Sequence, residues 1–184
     1  RTLDTISVNN GSFELKTDIA EPNIHFLQIV GIQGTFPFIA EKGTVNIEMY
    51  KDSLGLSSAT GTISNDDFMR YKSETKVYIQ SLNGIGNDLQ QAMILKDTLL
   101  AEDLQDQYQD VRSQIQDYEL EFIKDSPNSL ISILILERFI SNKAISLDEA
   151  KSIFKSLKTE IKNTNSGRAI QRQLQESPKA EVGE

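Results

Sequence analysis

The chain has 184 residues with 19 basic and 27 acidic side chains, a net charge of -8, 38% hydrophobic residues, one His, and neither Cys nor Trp. The apolar fraction can feed a core and the charged fraction is ordinary, so a globular protein of one or two domains is expected. The acidic balance disfavours a nucleic-acid surface, whose affinity comes from basic side chains that release counterions. Without Cys there is no disulfide, thiolate metal site or thiol nucleophile in this chain, and one His leaves no multi-histidine metal site and a single candidate for a nucleophilic triad.

Residue 1 is Arg, and residues 1 to 20 lack the basic, apolar and small-residue succession of a secretory signal. The chain therefore reads as one whose targeting segment has been removed. The densest apolar stretch, Leu130 to Leu136, is far shorter than the roughly 20 residues that span a bilayer.

Residues 1–62 read as antiparallel β-structure. Asn10-Gly11 suits a two-residue loop with positive φ, pairing Val8 with Phe13 and Ile6 with Leu15. Pro22 interrupts the pattern, and Ile24 to Val30 resumes as an apolar run suited to a central strand. Phe36 to Ala40 and Thr44 to Tyr50 predict a second hairpin turning at Glu41-Lys42-Gly43, and Ser57 to Thr62 a closing strand. The expected product is a small sandwich or half-barrel of five or six strands.

From Ser64 the period changes from 2 to 3.6. Ser64 and Asp67 have capping-box spacing. After Asn83-Gly84 and Gly86, the positions Leu89, Met93, Leu100, Leu104, Tyr108, Val111, Ile115, Tyr118 and Phe122 predict one long helix or two short ones burying a single stripe. Between Asp97 and Glu121 eight carboxylates face only Arg112. Ser126-Pro127 predicts a helix start, Leu130 to Ile140 the best-buried helix, Ser146 with Glu149 a second capping box, and Asn165 to Gln175 a last helix. The helical region thus runs over 64–175, and the polar stretch 176–184, with Pro178 and Gly183, reads as a linker.

Four features invite chemistry, each with a plainer explanation. The acids from Asp97 to Glu121 suggest paired-carboxylate hydrolysis or calcium, but fall mainly on what a helix keeps as its solvated face. His25 could act as a general base, yet no nucleophile is identified beside it. Phe36-Pro37-Phe38 could form an exposed binding edge, with core packing the duller alternative. Ser166-Gly167-Arg168 could offer a helix-end amide and a guanidinium to an anion, or be a helix start carrying a surface Arg. No catalytic, cofactor-binding or metal-ligating residue is assigned.

The succession Val8-Asn9-Asn10-Gly11-Ser12-Phe13, Glu21-Pro22, Phe38-Ile39-Ala40-Glu41-Lys42-Gly43, Gly61-Thr62 and Ser64-Asn65-Asp66 resembles the N-terminal domain of unknown function that precedes a thioredoxin-like (AhpC/TSA-type) domain in envelope thiol-disulfide oxidoreductases of the TlpA and ResA type. Phe122-Ile123-Lys124-Asp125-Ser126-Pro127-Asn128-Ser129 is similar to that family's F-I-x-x-x-P-x-S element, Ser166-Gly167-Arg168-Ala169-Ile170 to a shortened S-x-x-G-x-x-I helix, and Val182-Gly183 to the pair introducing the thioredoxin-like domain. The resemblance implies an α+β accessory region of a redox protein, exported to the periplasm or cell envelope and lipid-anchored on an N-terminal Cys, with the Cys-x-x-Cys chemistry in a following domain. It implies no cofactor. The expected partners are that thioredoxin-like domain in cis, protein substrates or a homodimer partner, with membrane contact only through the anchor. The rival readings are a free-standing module binding a small ligand or peptide between sheet and helices, and a carboxylate-based hydrolase.

Overall fold

The computed structural model describes residues 4–176, so the linker read over 176–184 lies, apart from Glu176, outside the described residues. The α+β class is as expected. Asn10 (φ 50°) and Gly11 (φ 78°) adopt the positive-φ pair that the Asn-Gly turn demands, with Asn9 and Ser12 exchanging main-chain bonds of 2.9 and 3.0 Å. The flanks do not continue as strands, and Val8 and Leu15 stay exposed. A two-stranded ribbon with no layer beneath it is marginal in water, so only the turn survives.

The ordered strands form two separate two-stranded antiparallel sheets and no closed barrel. β1 (Asn23–Leu27) pairs with β2 (Phe36–Ala40), placing Ile24 opposite Ile39. β3 (Asn46–Glu48) pairs with β4 (Ser58–Thr60), placing Ile47 opposite Ala59. Two expectations are thereby corrected. The Ile24 to Val30 run is not central: β1 ends at Leu27, has one neighbour, and leaves Phe26 and Val30 exposed. The hairpin between Phe36–Ala40 and Thr44–Tyr50 does not form, because the second edge of β2 is already occupied. The Asn65 side chain accepts from Ile39 N–H at 2.9 Å and donates to Ile39 C=O at 2.7 Å, standing where a strand would.

α1 (Ile63–Leu95) opens behind Thr62, one residue before the expected start, and the Ser64/Asp67 capping box is absent. Ser64 is buried; its hydroxyl accepts from Leu130 N–H at 3.1 Å, and its own N–H donates to Glu41 at 2.9 Å. The helix runs through Asn83, Gly84 and Gly86 and breaks at Lys96, in the left-handed region at φ 58°. Asp97 then caps α2 (Thr98–Asp125) by accepting from Leu100 N–H. The single stripe is therefore divided: Leu89 and Met93 belong to α1, the rest to α2, and the two helices form an antiparallel hairpin about 50 and 42 Å long at 1.5 Å per residue.

Ser126-Pro127 does not begin a helix. Ser126 closes α2, and α3 (Leu130–Ser141) starts behind Ser129, whose hydroxyl accepts from Ile131 N–H. α3 is the centre of the core, with Leu130, Ile131, Ile133, Ile135, Leu136 and Phe139 buried. α4 (Leu147–Ser156) carries the expected Ser146/Glu149 capping box, a short α5 (Thr159–Lys162) was not foreseen, and α6 (Asn165–Glu176) packs back on α3. The core meets the hairpin chiefly at its base, through Phe68 and Tyr71 of α1 and Tyr118, Leu120, Phe122 and Ile123 of α2. Beyond that the two helices pack mainly on each other, burying Ala92 and Leu104. Among the described residues no helix is long and apolar enough to cross a membrane.

Candidate functional site

Where the hairpin enters the core, its polar side chains are shared with α3. Glu119, only 1% exposed, accepts from the Tyr71 hydroxyl at 2.5 Å and from the Arg138 guanidinium, which is itself 46% exposed. Arg70 bonds Asp67 at 2.9 Å and the Ser126 hydroxyl at 2.6 Å, and its guanidinium lies 4.6 Å from the Phe122 ring centre. Burial, and then the hydrogen bond to Glu119, push the Tyr71 ionisation well above the ordinary tyrosine value. Tyr118, whose hydroxyl is buried without a hydrogen-bond partner, is pushed up by burial and then by Glu74. Both phenols are therefore neutral over the ordinary pH range, and this network is a polar joint that ties α1, α2 and α3 together.

Arg138 and Glu119 also form part of a groove of about 390 Å³ between α2 and α3, lined by Arg112 and Gln116 of α2, Phe139 of α3 and Leu82 of α1. At the far end of the hairpin lies a different surface. Met93, Ile94, Leu95, Leu99 and Leu100 are consecutive large apolar side chains around the Lys96-Asp97 break, and all are exposed, Leu95 and Leu99 at 77% and 79%. This tip stands about 36 Å along α1 from Tyr71, its last anchor in the core, at 1.5 Å per residue.

The structure scatters the residues singled out in the sequence. His25 is half-buried in β1, facing Phe38 edge-on with ring centres 6.0 Å apart, and has no nucleophile beside it among the described contacts. Phe36 is buried and Phe38 partly so, which is the core-packing alternative. Arg168 is occupied by Glu21, Asn165 and the Asn163 carbonyl. Gly167 is there for close packing, since a Cβ would collide with the Ile161 and Lys162 carbonyl oxygens. Of the acids between Asp97 and Glu121, Glu119 alone is buried, so no second buried acid faces it as two-carboxylate hydrolysis needs. Among the described residues no group of three or more His, Cys, Asp or Glu is placed to hold a metal ion.

Sequence reasoning missed Glu119 and Arg138. The signal was present: Glu119 lies four residues after Ile115 and three before Phe122, on the apolar stripe rather than opposite it. The hairpin tip was missed because Met93 and Leu100 were assigned to that buried stripe, and Ile94, Leu95 and Leu99 beside them were not weighed.

Residues 1–68 match the model of a family described as a domain of unknown function, DUF4369. The match covers both strand ribbons and ends in the second turn of α1, just past Asn65, so it takes in the residue that clasps β2. No curated protein and no solved structure matches the chain.

Proposed function

We propose that this chain is a non-catalytic accessory region that works by contact, presenting the apolar tip of the α1–α2 hairpin to a protein partner. The observation carrying this reading is the run of five exposed large apolar side chains from Met93 to Leu100. Patches of this kind mark interaction sites, and a two-helix arm with no third layer leaves its end unpartnered. Asp88, Asp97, Glu102 and Asp103 lie in the turns flanking the tip, against Lys96 alone. This rim complements a protein surface with basic residues around an apolar patch, and it opposes an anionic bilayer.

The order of motifs from Val8 to Gly183 supports the further reading that the parent is an exported thiol-disulfide oxidoreductase of the cell envelope. Its catalytic thioredoxin-like domain would follow this region, and the tip would recruit protein substrates. The test is turnover of the full-length parent with a disulfide-bonded protein and with a small disulfide, for wild type and for Leu95→Lys/Leu99→Lys. The expected result is a KM for the protein substrate raised tenfold or more, with the small disulfide unaffected. Equal kinetics on both substrates overturns the docking role, as does sedimentation showing the tip covered by a second copy. A parent that lacks any thioredoxin-like domain overturns the redox assignment.

A further inference from the structure

The groove between α2 and α3 is set apart by charge. With Arg112 as reference and about 100° per residue, Asp103, Asp106, Asp110, Asp117 and Glu121 all lie about 120° or more around the helix. The positions one turn either side of Arg112 are Tyr108, Gln109, Ile115 and Gln116, all uncharged. Glu102, about 80° around, lies ten residues or about 15 Å toward the hairpin tip, so the stretch of this acidic helix that borders the groove turns to it a face without free carboxylates. Among the described residues Arg112 makes no ion pair. Opposite it, Arg138 is braced by buried Glu119, which Tyr71 holds in turn, so the guanidinium is positioned while remaining 46% exposed.

We propose that this groove binds a small organic acid through its carboxylate. Arg112 and Arg138 supply two planar forks, which match a carboxylate bidentately. Gln109 and Ser113 line the same groove and add uncharged hydrogen-bonding groups. Glu119 cancels one of the two positive charges, leaving a formal +1 suited to a monoanion. Leu82, Ile115 and Phe139 give the walls an apolar part that a carbon chain can cover and inorganic phosphate cannot. The end of α3 does not repel the ligand strongly, because the Arg138, Phe139 and Ile140 carbonyls are satisfied by Asn142, Ala144 and Lys143 N–H. A volume of about 390 Å³ is at the small end of the range for ligand sites.

The probes are hexanoate, its neutral counterpart hexanamide, and inorganic phosphate, titrated into the labelled chain and followed by amide chemical shifts. Hexanoate is expected to saturate with a Kd at or below about 1 mM, shifting residues 112–116 and 138–144. Arg112→Gln, an exposed substitution that leaves the core untouched, is expected to weaken binding at least tenfold, whereas Asp117→Asn leaves it unchanged. Absence of saturation, equal binding of hexanamide or phosphate, or unchanged affinity in Arg112→Gln overturns the proposal. This outcome is independent of the hairpin tip.

Discussion

Removing either partner of the Glu119–Arg138 pair has unequal consequences. Glu119 is 1% exposed and Arg138 46% exposed. When Glu119→Gln removes the charge, Arg138 regains water, and Gln can still accept from Tyr71; the cost is about 1 kcal/mol, that of an ordinary hydrogen bond. When Arg138→Met removes the cation, the buried carboxylate keeps only the Tyr71 hydroxyl. Stripping a buried charge of its partner costs about 3–5 kcal/mol, and the half-exposed position of Arg138 favours the lower end, about 3 kcal/mol. In the double variant no unpaired charge remains, so the loss falls to about 1.5 kcal/mol and the two changes couple by about 2.5 kcal/mol. Urea unfolding followed by helical circular dichroism measures all four corners of the cycle, with an unchanged denaturant slope as the check on two-state behaviour. An Arg138→Met loss no larger than that of Glu119→Gln refutes this account of the joint.

Asn65→Ala leaves Ile39 N–H and C=O buried and unpaired and is expected to cost about 2–4 kcal/mol, read by thermal unfolding; a loss below about 1 kcal/mol shows that the clasp is dispensable. For Tyr71 and Tyr118 the folded value is raised, so their protons are held in the folded and unfolded states alike below the ordinary value of 10.0. Above it the unfolded chain releases protons that the folded one retains, and stability falls as pH rises, by at most about 1.4 kcal/mol per pH unit for Tyr71 and less for the more exposed Tyr118. Alkaline titration should show part of the tyrosinate absorbance appearing only as the helices melt. Complete ionisation of all five tyrosines before any helical loss contradicts this.

Local signals were legible in the sequence and non-local ones were not. The Asn10-Gly11 turn, the Ser146/Glu149 capping box, the apolar α3 and the span of α6 each depend on residues within about one helical turn of each other, and each stands. Strand pairing went astray because it is decided at a distance: β2 turns back to β1 since Asn65, on a helix far along the chain, fills its other edge. Ser64 misled for a similar reason, since its hydroxyl serves Leu130 rather than its own helix end. Gly84 and Gly86 sit within a helix that Lys96 ends, so glycine count alone placed the break too early. Of the candidate site, the charge imbalance of α2 and the place of Glu119 on its apolar stripe were visible in the spacing; that Arg138 partners Glu119 was not, because α3 delivers it from elsewhere in the chain.

One unbroken helix serves both the strand ribbons and the hairpin. The first turns of α1 clasp Ile39 through Asn65, and the same rod continues to Leu95 without a kink-forming proline. It behaves as a lever with its fulcrum in the core. In the docking role proposed above, a partner gripping the far end is thereby held at a set bearing to the ribbons, and a pull there reaches the Phe68 and Tyr71 anchors before the Asn65 clasp.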